Sequence, residues 1–350
     1  MIIAACAAAA CPFPVRALPA AQSKISSSIT VDPSGRRADV RTIAQALALA
    51  ATRTSRDVPL RLVLEPGVYR EKLTVTVPNI VIEGRGPSTV LTFGAAAGHK
   101  RPDGGGRWGT GGSATLTLAA PDITLRNLTV RNDFDYIADQ TTHASGGAQA
   151  VALHVGIDAA RTVIENCSIE GYQDTLYLAG STLLRDCRIA GVIDFIFGGA
   201  AALLERCTIA SRFVPGLPIG YIAAPSTPAT QRNGLIFHRC RLVREQGVPD
   251  DSIFLGRPWR AGGNMSLLGM AAFDGCWMDA HVRRAGWTSM GYSDPSGTRR
   301  DLTPREARLS ERASRGPGAH RDAGGNFAFT GPIEMTPMSV LGWTSPVRIR

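Results

Sequence analysis

A chain of 350 residues with 44% hydrophobic and 19% charged residues can bury a sizeable core, as two ordinary domains or as one long repetitive one. Its 38 glycines and 22 prolines punctuate short bursts of Val, Ile, Leu and Thr, which favours many short strands over long helices. The net charge of +9 is scattered, without the dense basic run or basic–aromatic interleaving of a nucleic-acid interface; it leaves attraction to a polyanion, or simply an arginine-rich composition.

Residues 1–21 ("MIIAACAAAACPFPVRALPAA") read as a secretory leader, since "ALPA" resembles a cleavage site, although a basic first region is missing. "IAAC", ending at Cys6, also resembles a lipoprotein acylation box, which would hold the protein at the outer membrane. An unstructured N-terminus is the third reading. Residues 22–350 are expected to form one domain, secreted to the periplasm or beyond, without a transmembrane segment, because no other window reaches 18 apolar residues. Ala38–Arg53 reads as a helix with apolar residues at helical spacing, placed to cap a fold. "GGGRWGTGG" (Gly104–Gly112) lacks the Lys-Ser/Thr ending of a phosphate loop and reads as a glycine-rich connection.

A repeat dominates the middle of the chain. "VIENCSIEG" (Val163–Gly171), "LLRDCRIAG" (Leu183–Gly191) and "LLERCTIAS" (Leu203–Ser211) share one pattern, and their cysteines recur with a period of 20 residues. Weaker copies stand at Thr124–Asn132, Ile236–Arg244 and Ala271–Asp279. Strands and turns at this interval predict an all-β chain, a right-handed parallel β-helix with about 20 residues per coil. A helix over "LTPREARLSER", with Thr303 as cap, Pro304 and Glu306, is expected in a loop- and helix-rich C-terminal segment.

In such a fold, residues one period apart stack about 4.8 Å from each other. Cys167, Cys187 and Cys207 then form an inward column; a Cys187–Cys207 disulfide is expected in an oxidising compartment, against the alternative of a ladder of buried thiols. Asp174 in "GYQDTLYLAG" and Asp194 in "GVIDFIFGG" stack in the same way, among Tyr172, Tyr177, Phe195 and Phe197. Two carboxyl groups held so close cannot both ionise easily, so one becomes an acid or base while the other stays charged as a nucleophile. His143 and His154 read as structural histidines. No CxxC, HExxH or GxSxG occurs, so zinc-peptidase and serine-hydrolase routes lack their residues.

"GYQDTLY", "DFIFG", "LGRPW" (Leu255–Trp259) and "QAVAL" (Gln149–Leu153), with "EPGVYREKL", "WGTGGSAT", "RNDFD", "GYIAAPST" and "GWTSM", resemble the signature segments of pectin methylesterases, carbohydrate esterase family 8, in their bacterial branch. One departure is "FGGAAALLERC", where many relatives carry Asn or Asp after the first glycine. The resemblance implies Asp194 as nucleophile and Asp174 as general acid and base. It implies Gln149 and Gln173 as oxyanion donors and Arg257 as the group that orients Asp194 and keeps it ionised. Trp259, Tyr177, Phe197, Thr110 and Met290 match residues around the sugar ring or methyl ester. It further implies a monomer acting on pectin, a methylated polygalacturonate, with no metal or other cofactor, and no plant-type inhibitory pro-domain in a chain of this length. Parallel β-helices also carry polysaccharide lyases and hydrolases, and a homologue of the cell envelope acting on another ester, or only binding polysaccharide, is the remaining alternative.

Overall fold

The computed structural model describes residues 28–36, 38–53, 58–319 and 331–344. The expected leader, with Cys6 and Cys11, lies outside them. Three parallel sheets carry the chain. The first has ten strands, from Ser28–Val31 to Arg308–Arg312; the second has eight, from Gly67–Arg70 to Trp277–Met278; the third has seven, from Leu73–Val75 to Ile253–Gly256. The chain visits the three sheets in turn, and each strand pairs with its counterpart one coil earlier, as Thr162, Thr182 and Ala202 do. This is the expected parallel β-helix.

The 20-residue coil holds in the centre and is exceeded elsewhere: Ile80 pairs with Ile123, Ala202 with Leu235, and Leu235 with Ala271. Two of the insertions enter at the corner between the second and third sheets. They carry the short helix Gly109–Gly112 and the helix Tyr136–Thr142. The opposite corner, from first to second sheet, is sharp. It turns on one left-handed residue per coil: Asn127, Asn166, Asp186, Arg206, Arg239 and Gly275. Asn, Asp and Gly tolerate that conformation, whereas the two arginines bear a strain of roughly 1–2 kcal/mol each. Arg206 is held there by a fork onto Asp186 at 3.0 and 2.8 Å.

Inward columns of apolar side chains, such as Ile164, Leu184 and Leu204, fill the axis. A second column, Leu183, Leu203 and Ile236, faces outward and is covered by Val340 and Trp343; the Trp343 indole donates to Ser181 Oγ at 2.6 Å. The first coil is capped by the helix Ile43–Ala51, shorter than expected because Thr42 closes a capping box with Gln45. Glu71 adds a second cap, accepting from the Ile43 and Ala44 N–H groups at 2.9 Å.

Two expectations are corrected. Thr303 and Glu306 do pair, with the Thr303 N–H donating to Glu306 Oε2 at 2.9 Å, but they close a turn and no helix follows. Leu309 is buried and pairs with Ala271, so Arg308–Arg312 completes the first sheet; the helix of this segment is Pro337–Leu341. Cys187 and Cys207 are free, as are Cys167, Cys240 and Cys276, all buried. The thiols instead donate to carbonyls of the preceding coil, Cys187 to Ile164 at 3.4 Å and Cys240 to Leu204 at 3.3 Å. Burial pushes the Cys167 thiol up to about 12.

A third column carries charge. Glu83, Arg126, Glu165, Arg185, Glu205, His238, Asp274 and Arg312 follow one another in register along the first sheet. Arg126 reaches Glu83 at 3.0 Å, Arg185 reaches Glu205 at 2.8 Å, and Asp274 accepts from His238 at 2.8 Å and Arg312 at 2.6 Å. Asp274→Ala removes the acceptor of two half-buried groups and is expected to cost about 1–3 kcal/mol in urea denaturation. Arg70→Ala, from the exposed pair with Asp133, should cost less than about 1 kcal/mol. Alkylation of the unfolded protein without reductant should label both Cys187 and Cys207; a cross-linked pair of their peptides would contradict the free column.

Candidate active site

The corner between the second and third sheets builds the site. In the coil of Asp174, the chain leaves Ser168–Glu170 at Gly171; in that of Asp194, it leaves Arg188–Gly191. A Cβ on Gly171 would lie 2.8 Å from Thr175 Oγ1, and one on Gly191 2.2 Å from Phe195 Cβ, so only glycine lets the corner close. Gln173 then bridges Ile193, and the Asp174 N–H donates to the Ile193 carbonyl at 3.0 Å. Asp174 and Asp194 therefore hold the same position of adjacent coils, both left-handed, with φ of 61° and 47°. Aspartate tolerates that backbone, and one rung of about 4.8 Å separates the two.

Asp194 is 6% exposed and Asp174 is half-buried. Arg257, just past the strand Ile253–Gly256, grips Asp194 as a fork: Nε donates to Oδ1 at 2.9 Å and Nη2 to Oδ2 at 2.7 Å. Burial lifts Asp174 well above the ordinary carboxylate range, and the Asp194 charge adds to it against the pull of Arg257. Asp194 is also lifted by burial, with the hydrogen bond and charge of Arg257 opposing. Arg257 thus acts in the anticipated direction, against the effect of burial. The pair is split by Arg257, which touches one carboxyl and only faces the other.

Aromatic rings flank the carboxyls along the third sheet. His154 stacks on Tyr177 at 4.3 Å, Tyr177 on Phe197 at 4.4 Å, and Trp259 meets Phe197 at 5.8 Å and 62°. Phe197 is 2% exposed, so it backs its neighbours instead of offering a face. Burial and Lys72 lower His154 to about 4, in keeping with a structural histidine. Gln149 and Gln173 are on neighbouring coils, the Ala150 N–H donating to the Gln173 carbonyl at 3.1 Å, and neither side-chain amide donates to an acceptor among the described residues. Thr110 precedes Gly111, which stands beside the rings, for a Cβ there would lie 3.5 Å from His154 and 3.7 Å from Tyr177. Met290 joins only through its chain neighbours, by the bridge between Trp287 and Gly256; no hydrogen bond or ring contact links it to the others among the described residues.

Three residues went unnoticed in the sequence. Tyr221 lies beneath the Arg257 guanidinium at 3.9 Å and is itself backed by Phe254 at 5.6 Å. Tyr136 stacks on Tyr172 at 5.3 Å, and burial together with the charge of Asp174 pushes its hydroxyl up to about 12. Arg212 covers Tyr172 at 4.0 Å. Only the "GYIAAPST" segment offered a signal, for Tyr221. Among the described residues, no group of three or more His, Cys, Asp or Glu gathers as metal ligands. The arrangement suits attack by one carboxylate while a second carboxyl donates and accepts a proton.

A family model described as Pectinesterase matches residues 28–302. Pectinesterase A of Dickeya chrysanthemi is 37% identical over an alignment of 299 positions that covers 80% of this chain and 80% of that one. A solved pectin methylesterase in complex with a hexasaccharide superposes with a TM-score of 0.81 and 34% identity, across 91% of this chain and 98% of its own. The pectin methylesterase from Yersinia enterocolitica gives 0.75 and 36%, across 80% and 91%.

The raised Asp174 pKa has a stability consequence of definite sign. A carboxyl that binds its proton more tightly folded than unfolded destabilises the fold as pH rises from its ordinary 3.8 through the folded value. Asp174→Asn should therefore raise the melting temperature at pH 7 and leave it nearly unchanged near pH 3.5. An equal shift at both pH values would contradict the buried, proton-holding carboxyl.

Proposed function

The chain belongs to the pectinesterase family and is a carboxylic ester hydrolase; from that premise we propose that it removes methyl groups from methylated polygalacturonate through a covalent intermediate on Asp194. An Asp194 oxygen attacks the ester carbonyl carbon. The Gln149 and Gln173 amides donate to the oxyanion that develops, and preorganised donors of this kind are usually the largest single contribution to such steps. The C–O bond to the methoxy group breaks as Asp174 gives it a proton, releasing methanol and leaving a mixed anhydride on Asp194. Asp174, now a carboxylate, takes a proton from water. The resulting hydroxide attacks the acyl carbon and the anhydride bond breaks, which restores Asp194 as the anion and frees the polymer carboxylic acid, whose proton passes to solvent.

The observation that carries this reading is the division of labour within the stacked pair. Arg257 holds both oxygens of Asp194, which fixes its direction of attack and opposes the effect of burial. Asp174 has no such fork and retains its proton more tightly. Trp259 offers a ring face beside the pair that suits the apolar face of a sugar, and Tyr177, stacked between His154 and Phe197, presents its edge. A polymer of this size does not enter cells, so the reading places the protein outside the cytoplasm. No helix among the described residues is long and apolar enough to cross a membrane.

Methanol release from methylated pectin tests the proposal. Asp194→Asn should abolish turnover, and Asp174→Asn should lower kcat by about 10²–10⁴-fold. Arg257→Lys keeps the charge but loses the fork, so kcat should fall with little change in KM. Near wild-type release by the Asp194 variant would remove the mechanism.

A further inference from the structure

The position held by Asp174 and Asp194 continues along the later coils. Gln173 bridges Ile193, which sets Asp174 against Asp194. Ile196 pairs with Ala223, which sets Asp194, two residues earlier, against Tyr221. Tyr221 pairs with Phe254, and the bridge between Ile253 and Val282 sets Phe254 against Arg283. One column therefore runs carboxyl, carboxyl, phenol, phenyl and guanidinium.

The ring faces in that column are taken. Tyr221 carries the Arg257 guanidinium at 3.9 Å and has Phe254 stacked on it at 5.6 Å and 8°. Phe254 in turn has the Arg283 guanidinium 4.7 Å from its centre. Neighbours this close must use opposite faces, so neither ring is open to a sugar. Arg283 makes no ion pair among the described residues, and its Nε is buried there without a hydrogen-bond partner. Its N–H group donates to the Ile253 carbonyl at 2.8 Å, which ties the end of the column to the last coils.

Arg257 needs a support of this kind because its anion does not last. Among the described residues its guanidinium donates to Asp194 alone. On the path given above Asp194 becomes a neutral anhydride, so the ion pair that aims Arg257 is lost midway through each turnover. The contact between guanidinium and ring does not depend on the charge of Asp194.

We propose that Tyr221 is a positioning residue for Arg257, and that Phe254 and Arg283 hold Tyr221 from behind, so that the later coils keep the fork aimed through the covalent intermediate. The inference rests on the pectinesterase reading.

The test is a cycle of variants read by methanol release from methylated pectin. Tyr221→Leu should lower kcat about tenfold to thirtyfold with KM within about twofold, the mark of a misplaced group. Tyr221→Phe keeps both ring faces and should restore most of the rate. In Tyr221→Leu the acid limb of the kcat/KM profile should move to higher pH, because a loosened Arg257 no longer opposes the effect of burial on Asp194. In Arg257→Lys, where the fork is already absent, adding Tyr221→Leu should cost less than about twofold. Phe254→Leu and Arg283→Gln should follow the same pattern on a smaller scale, about twofold to threefold, and they carry the cycle if Tyr221→Leu does not fold. Losses that multiply in the double variants, or an acid limb that stays in place, would overturn the positioning role while leaving the reaction intact. Failure of the wild type to release methanol would overturn the reading on which that role rests.

Discussion

Parallel strands stacked in register, about 4.8 Å apart, are the constraint from which the other properties of this molecule follow. Once one coil is laid on the next, any residue type repeated at the coil period becomes a column. Leucines and isoleucines make the axis, and cysteines a line of buried thiols. Acids and bases alternate down the first sheet. Aromatic residues of the third sheet become a stack of rings. Two aspartates at the same corner become a pair of carboxyls that must share one environment.

Stacking like charges opposes folding, and the Asp174–Asp194 pair is such a stack. Along the first sheet the sign alternates, so neighbours attract. At the second corner Asp174 and Asp194 have the same sign, and only Arg257 separates their behaviour. Arg257 comes from a later coil and is itself braced by Tyr221 and, beneath it, Phe254. Removal of this support would leave two buried carboxyls with no reason to differ. The strands of the third sheet at the pair, Leu176–Leu178 and Ile196–Gly198, are only three residues long. Groups from the far end of that sheet, Arg257 and Trp259, therefore reach the same groove as groups from the near corner.

Whatever the coil period controls is legible in the sequence. The cysteine interval reveals the repeat, and the repeat by itself brings Asp174 and Asp194 together on adjacent coils. Features set by insertions are not legible that way. Arg257 stands 63 residues from Asp194 and is recognisable only through the likeness of "LGRPW" to a family segment. Tyr136 arrives on a helix inserted between two coils, and Lys72 reaches Trp108 across another insertion. The helix expected at Thr303 fails because a local capping pair is compatible with a turn as well, and pairing of Leu309 with Ala271 decides the matter. The expected disulfide gives way to thiols that donate to carbonyls of the preceding coil. In both cases a local signal is overruled by the geometry of the neighbouring coil.

That two carboxyls on adjacent rungs act on each other can be measured without turnover. The Asp174 carboxyl would be titrated by carbon NMR in the wild type and in Asp194→Asn. In the wild type it should titrate well above the ordinary 3.8. In the variant it should fall, because the like charge has gone and Arg257 has lost its partner. An Asp174 that titrates near 3.8 and does not move when Asp194 is replaced would contradict the account.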